Sequence, residues 1–237
     1  MNRTYRKLQS PNLGKAMEML IFGEEGIPIL AFPTANGRFF EWENRKMTET
    51  VSDKINPGFN QVYCVDTIMT ESLLNRDVDP FTRLMRLQQY ERYIMEEVVP
   101  FIKENNKASF LMTAGCELGG FLALLFLLKH PGTFGKGIAI SGQFDIKPFL
   151  GGFYNENVYF NNPVDFIPNL YDSKILQAIE HTDIRLATYD GDTKKDATVR
   201  MSHTFKMRYI DHTLDIWNGT GEDRWEIWRS MLNKHIL

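Results

Sequence analysis

Cysteine is scarce: only Cys64 and Cys116 occur in 237 residues. Each lies inside an apolar, strand-like segment, and neither has the paired spacing of a zinc site or a disulfide framework, so both are expected to be buried free thiols. Long apolar runs are also missing. The longest, "GGFLALLFLL", falls well short of the roughly 20 residues needed to cross a bilayer. The opening "MNRTYRKLQSPNLGK" is polar throughout and lacks the apolar core of a secretory signal. Neither charge dominates: 27 basic and 30 acidic residues leave a net charge of -3, which gives no electrostatic reason for a nucleic-acid or anionic-membrane partner. No repeat, low-complexity tract or Pro/Ser-rich linker divides the chain. These absences predict one domain over residues 1–237 and a cytoplasmic location, without nucleic acid or membrane as partner.

What is there is the rhythm of an α/β fold. "RTYRKLQ" and "AMEMLIFG", joined through "SPNLG", read as two strands with Pro and Gly supplying the turn, an antiparallel edge. From Ile27 onward, short apolar runs alternate with longer amphipathic segments. The strands are "IPILAFP", "QVYCVDTIM", "ASFLMTAG", "KGIAISG", "DIRLATYDGD" and "HTLDIWNG". Helices are expected over 39–54, 80–105, 118–129, 173–180, 193–210 and 223–235. In the longest, Leu84, Leu87, Tyr90, Ile94, Val98 and Ile102 recur at three- and four-residue steps, placing one apolar face on the sheet. The fold class is therefore a mostly parallel, doubly wound α/β sheet. Ligands of such sheets gather beyond the carboxyl ends of the strands, here the turns 34–38, 67–75, 115–120, 142–145, 190–192 and 219–223.

One of these turns stands in the stretch "TAGCELGGFLALLFLLKHP", a strand, a glycine-rich turn and a buried helix. That is the outline of the nucleophile elbow G-x-S-x-G of α/β-hydrolases. Gly115, Gly119 and Gly120 stand where the strained turn and the close helix need small residues. A helix beginning at Leu118 would present a free backbone N–H, half of an oxyanion hole. The nucleophile position, however, holds Glu117.

Here the chain resembles the esterases of the esterase D and carbohydrate-esterase type within the α/β-hydrolase superfamily. The resemblance covers nearly the whole chain. It is carried by "SPNLGKAMEMLIFG", "ILAFPTANGRFFEWEN", "YERYIMEEVVPFI", "GCELGGFLALLFLLKHPGTFGKGIAISGQFD", "NVYFNNPVDFIPNL" and "GEDRWEIWRSML". Catalytic relatives look like G-C-S-M-G-G at the elbow and G-H-D-W-x-x-W-R-x-M-L near the end. By that match Glu117 stands for the serine and Glu222 for the histidine. The acid of "ATYDGD" falls at Asp192, with Asp190 the alternative. The resemblance also implies an α/β-hydrolase fold, a second oxyanion donor from "PTANG" around Thr34 to Asn36, and an aromatic lid-like insertion at about 142–182. Leu118, Thr34, Asn36 and Phe144 are accordingly the expected ligand-binding residues. No cofactor and no metal are implied.

The double replacement removes both nucleophile and general base of the serine mechanism. The five histidines, His130, His181, His203, His212 and His235, fall on the wrong edge or within helices and are read as structural. Cys116 should point into the sheet, and Ser141 is read as a small residue at a strand exit. The favoured function is an esterase-like protein without serine-hydrolase activity, whose cleft binds a small-molecule or sugar-ester ligand or serves regulation or assembly. The alternative is a hydrolase of small or carbohydrate esters in which Glu117 attacks carbon and Glu222 activates water. A third reading gives the three carboxylates a hard cation. Trp225, Trp228 and Met231 share a helical face, fit for core packing or for a homo-oligomer.

Overall fold

The computed structural model describes residues 1–220 and 223–236. Eight strands, β1 Arg3–Ser10, β2 Lys15–Phe22, β3 Ile27–Phe32, β4 Asn60–Val65, β5 Leu111–Cys116, β6 Phe134–Ile140, β7 Asp183–Tyr189 and β8 Thr213–Trp217, form one sheet in the order β1-β2-β4-β3-β5-β6-β7-β8. β1 and β2 pair antiparallel, β2 joins β4 antiparallel, and β4 onward the pairs are parallel. The expected antiparallel edge is thus in place. The chemistry of each strand follows its position: every residue of β4 and β5 is buried because helices cover both faces. β1, polar and mostly exposed, forms an edge that its charges keep soluble.

The helices are α1 Glu41–Asn44, α2 Met47–Thr50, α3 Ser52–Ile55, α4 Pro80–Tyr93, α5 Val99–Asn105, α6 Leu118–Lys129, α7 Glu156–Phe160, α8 Pro163–Phe166, α9 Ser173–Glu180, α10 Lys195–Met207 and α11 Arg224–His235. One core, built from α1–α3 and α11, packs Trp42, Met47, Val51, Trp228 and Met231 on one face of the sheet. The other lies under α4–α6 and α10. Trp225, Trp228 and Met231 are all buried in the first of these cores, so this apolar face of α11 packs on the sheet. Among the described residues no helix is long and apolar enough to cross a membrane.

Two expected helices differ in detail. Residues 39–54 break into α1, α2 and α3, with Lys46 in the left-handed region at φ 58°. Asn44 and the β-branched Thr48, Thr50 and Val51 weaken a continuous helix, while Trp42, Met47, Val51 and Ile55 are each buried. The 80–105 segment is continuous but passes through a π-turn, Ile94–Val98, where the Val99 N–H donates to the Ile94 carbonyl. Pro100 follows at once. It has no N–H for the carbonyl four residues back, and its ring crowds that position; the widened turn relieves both. All six expected core residues of this segment are buried.

The 142–182 segment carries short helices anchored on the core through Ile146, Leu150, Val158, Phe166 and Ile167. Asn162 holds it: its amide oxygen accepts from the Ile146 N–H at 2.9 Å, and its NH2 donates to Asp145 and Asp165 at 3.0 and 2.8 Å. Phe144, expected to touch ligand, is fully buried. A Cβ on Gly142 would lie 2.2 Å from its ring. Phe144 is therefore a core residue packed beneath Gly142, unavailable at any cleft surface.

Candidate functional site

The elbow begins with the strand–helix crossing of β5, β3 and α6. A Cβ on Gly115 would stand 2.3 Å from the Gly119 carbonyl, and one on Gly119 would stand 2.5 Å from the carbonyl oxygens of Phe32 and Pro33. Only glycine permits that approach. Glu117 sits between them at φ 54°, ψ -118°, outside the regions ordinary residues favour. Its N–H donates to the Ile140 carbonyl at 3.0 Å, and its own carbonyl accepts from Phe121 at 3.0 Å and Gln143 at 3.3 Å. The strained backbone of a nucleophile elbow is present and pinned on both sides. α6 starts at Leu118 as expected, and the first amides of a helix have no carbonyl partner within it.

The side chains around this turn are mostly charged. Glu117 Oε1 accepts a hydrogen bond from an Arg224 terminal nitrogen at 2.9 Å. Burial lifts the Glu117 carboxyl above the ordinary range, Glu41 and Asp192 push the same way, and Arg224 and Lys194 only partly oppose them. Arg224 is the first residue of α11; its guanidinium also lies over the Trp228 ring, 5.2 Å from the centroid. The indole of Trp228 in turn donates to Ser141 Oγ at 2.8 Å. Ser141 is buried at φ 51° and serves as that acceptor.

Thr34 lies at the end of β3, where a second oxyanion donor was expected. Its N–H donates to Glu41 Oε2 and its hydroxyl to Glu41 Oε1, both at 2.7 Å. The Glu41 carboxylate folds back over the 34–37 turn, into space that exists because residue 37 is glycine: a Cβ there would stand 2.5 Å from it. The Thr34 donor is thus occupied by a carboxylate of the same chain. Asn36 is exposed at the tip of the turn.

Asp192 accepts from Thr188 Oγ1 at 2.7 Å and from the Lys194 N–H at 2.8 Å. Its charge reaches Glu117, whereas Asp190 pairs with Lys195 at 2.8 Å with its side chain about half exposed. Glu222 lies outside the described residues. The terminal pattern counts two ways: forward from Gly221 the histidine position is Glu222, and backward from Trp225, Trp228 and Arg229 it is Asp223. Either count puts an acid there. Asp223 caps α11, accepting from the Glu226 N–H at 3.1 Å.

Three histidines are engaged far from the elbow. His130 bonds Glu91 at 2.8 Å, His212 bonds Ser202 at 2.7 Å and His235 bonds Asp215 at 2.9 Å. His181 and His203 are exposed. Cys116 is buried, with its thiol pushed well above its usual pKa by burial, so it is no nucleophile. Among the described residues no three His, Cys, Asp or Glu side chains converge as a metal site. Sequence reasoning missed Arg224 and Glu41. Arg224 lies inside the quoted terminal segment, two residues after Glu222; nothing in the spacing of Thr34 and Glu41 marks them as partners.

The arrangement holds a charge pair, Glu117 with Arg224, at the elbow. Its architecture is that of known esterases. A ferulic acid esterase superposes with a TM-score of 0.78 at 16% identity, covering 98% of this chain and 95% of that one. An S-formylglutathione hydrolase from Agrobacterium tumefaciens gives 0.75 at 14% identity, covering 99% and 92%. A ferulic acid esterase from the anaerobic fungus Anaeromyces mucronatus gives 0.70 at 11%, covering 99% and 89%. The fold is accordingly that of the α/β-hydrolases. No curated protein matches the sequence. The family model described as "Putative esterase" matches residues 69–237, and the chain belongs to that esterase family.

Proposed function

We propose that this esterase-family chain no longer hydrolyses esters by the serine mechanism and uses its elbow as a charged site for a small-molecule ligand. One observation carries the reading. Glu117 occupies the strained nucleophile position and is ion-paired with Arg224. A carboxylate held by a guanidinium is a poor nucleophile, and the serine route loses several orders of magnitude without its hydroxyl and base. The Glu41 carboxylate at the Thr34 donor supports the same reading, because an ester oxyanion would meet negative charge there. These features also weigh against Glu117 attacking carbon.

The test is hydrolysis of a panel of p-nitrophenyl and acetylated-sugar esters. The wild type is compared with Glu117→Ser alone, and with Glu117→Ser joined to Glu222→His or, separately, to Asp223→His. The expected result is an inert wild type and turnover in one of the double variants. A wild type that turns over and loses activity in Glu117→Gln would overturn the proposal in favour of a carboxylate mechanism.

A further inference from the structure

We propose that the concavity between the loop after β4 and the loop after β6 is a binding site for a small carboxylate with an apolar body. It encloses about 320 Å³ and is lined by Leu73, Leu74, Arg76, Arg83, Pro148, Phe149 and Gly151. The size suits a small ligand, and both loops leave the carboxyl ends of their strands, on the sheet edge where ligands of this architecture collect.

Arg83 carries the argument. Its Nε donates to the Val78 carbonyl at 2.9 Å and one terminal nitrogen to the Phe149 carbonyl at 2.8 Å. Those contacts fix the guanidinium without neutralising it, and its other terminal nitrogen has no partner among the described residues. Arg3, Arg38, Arg86, Arg185 and Arg224 each pair with a carboxylate, whereas Arg83, like Arg208, is held on backbone carbonyl oxygen, and Arg83 lines the concavity. Arg76 is exposed on the rim of the same concavity and makes no ion pair with a described residue. An oriented, unneutralised guanidinium beside Leu74 and Phe149 recognises a carboxylate whose body lies on the apolar wall. Asp77 and Asp79 follow Arg76 in the chain, and Asp79 is held by Thr82 as the cap of α4. Their charge disfavours a dianion, so a monoanionic carboxylate fits better than a phosphate.

The site rests on its own geometry and stands apart from the reading of the elbow. The full chain, labelled with 15N, is titrated with 4-phenylbutyrate, with its neutral amide and with phenyl phosphate, following the amides of Leu74, Phe149 and Gly151. Saturable shifts are expected with 4-phenylbutyrate, with affinity about tenfold weaker for the amide and about tenfold weaker in Arg76→Gln, the scale of one charge-assisted hydrogen bond. Arg83→Lys keeps the charge and loses the planar fork, and is expected to weaken binding while the thermal midpoint confirms folding. Glu117→Gln, which probes the elbow, leaves the shifts in place. Absence of saturable shifts, equal binding of the amide, an unchanged affinity in Arg76→Gln or in Arg83→Lys, or tighter binding of phenyl phosphate overturns the assignment.

Discussion

Glu117 combines a positive φ with a partly buried charge, two features that each oppose folding. Arg224 offsets the second. Because the folded carboxyl has a raised pKa, its stabilising protonated form is present below the unfolded value near 4.3, and stability is lost as pH rises through the folded pKa. Replacing Arg224 removes the counter-charge and enlarges that loss. Arg224→Met is therefore expected to raise the Glu117 pKa further, read from its carboxyl 13C shift. It should also lower stability at pH 7 by about 1 kcal/mol, as befits a half-exposed pair; the difference should shrink toward pH 4, measured by urea unfolding. At this scale the sequence is legible where a residue type breaks a pattern. Glu117 within "GCELGG" is visible because it breaks the G-x-S-x-G pattern. Glu41 is hidden because its contact with Thr34 depends on how the 34–37 turn folds back, which no periodicity encodes.

Elements were more legible than side-chain partners. Strands β3 to β8 and the starts of α4, α6 and α9 follow apolar runs and caps, and the Asp79 cap with Pro80 behind it is a local signal. Breaks within helices were not, because tertiary packing decides them: α1 to α3 bend so that Trp42 and Met47 both reach the sheet. Lys46 bears the cost of that bend in a left-handed conformation. Lys46→Gly is expected to be neutral or stabilising by up to about 1 kcal/mol, read as a rise in thermal midpoint. The opposite is expected at the elbow crossing. Gly119→Ala places a methyl against two carbonyl oxygens and should cost about 3 kcal/mol or more, seen as a fall in urea midpoint or in soluble yield.

For the molecule as a whole, acid sensitivity is built into its charge pairs. His235 is buried, and burial holds its pKa below the usual value despite the Asp215 contact. The unfolded chain then binds the proton more readily, so stability falls as pH drops below about 6.5. Asp215, Asp183 and Asp165 have depressed pKa values; in each, burial works against the ion pairs and hydrogen bonds that prevail. Their contribution is present above about pH 4 and is lost below it as the folded groups protonate. Unfolding free energies from urea titrations between pH 7 and 5 should decline by no more than about 1.4 kcal/mol per pH unit for the His235 share, and His235→Gln should remove that share.

The contact of Arg224 with Trp228 has an optical consequence. Trp228 meets Trp225 edge-on at 4.9 Å, donates to buried Ser141 and carries the same guanidinium that holds Glu117. A molecule that draws Arg224 away from both Glu117 and the indole is expected to register as a change in intrinsic tryptophan emission, with no dye or label required.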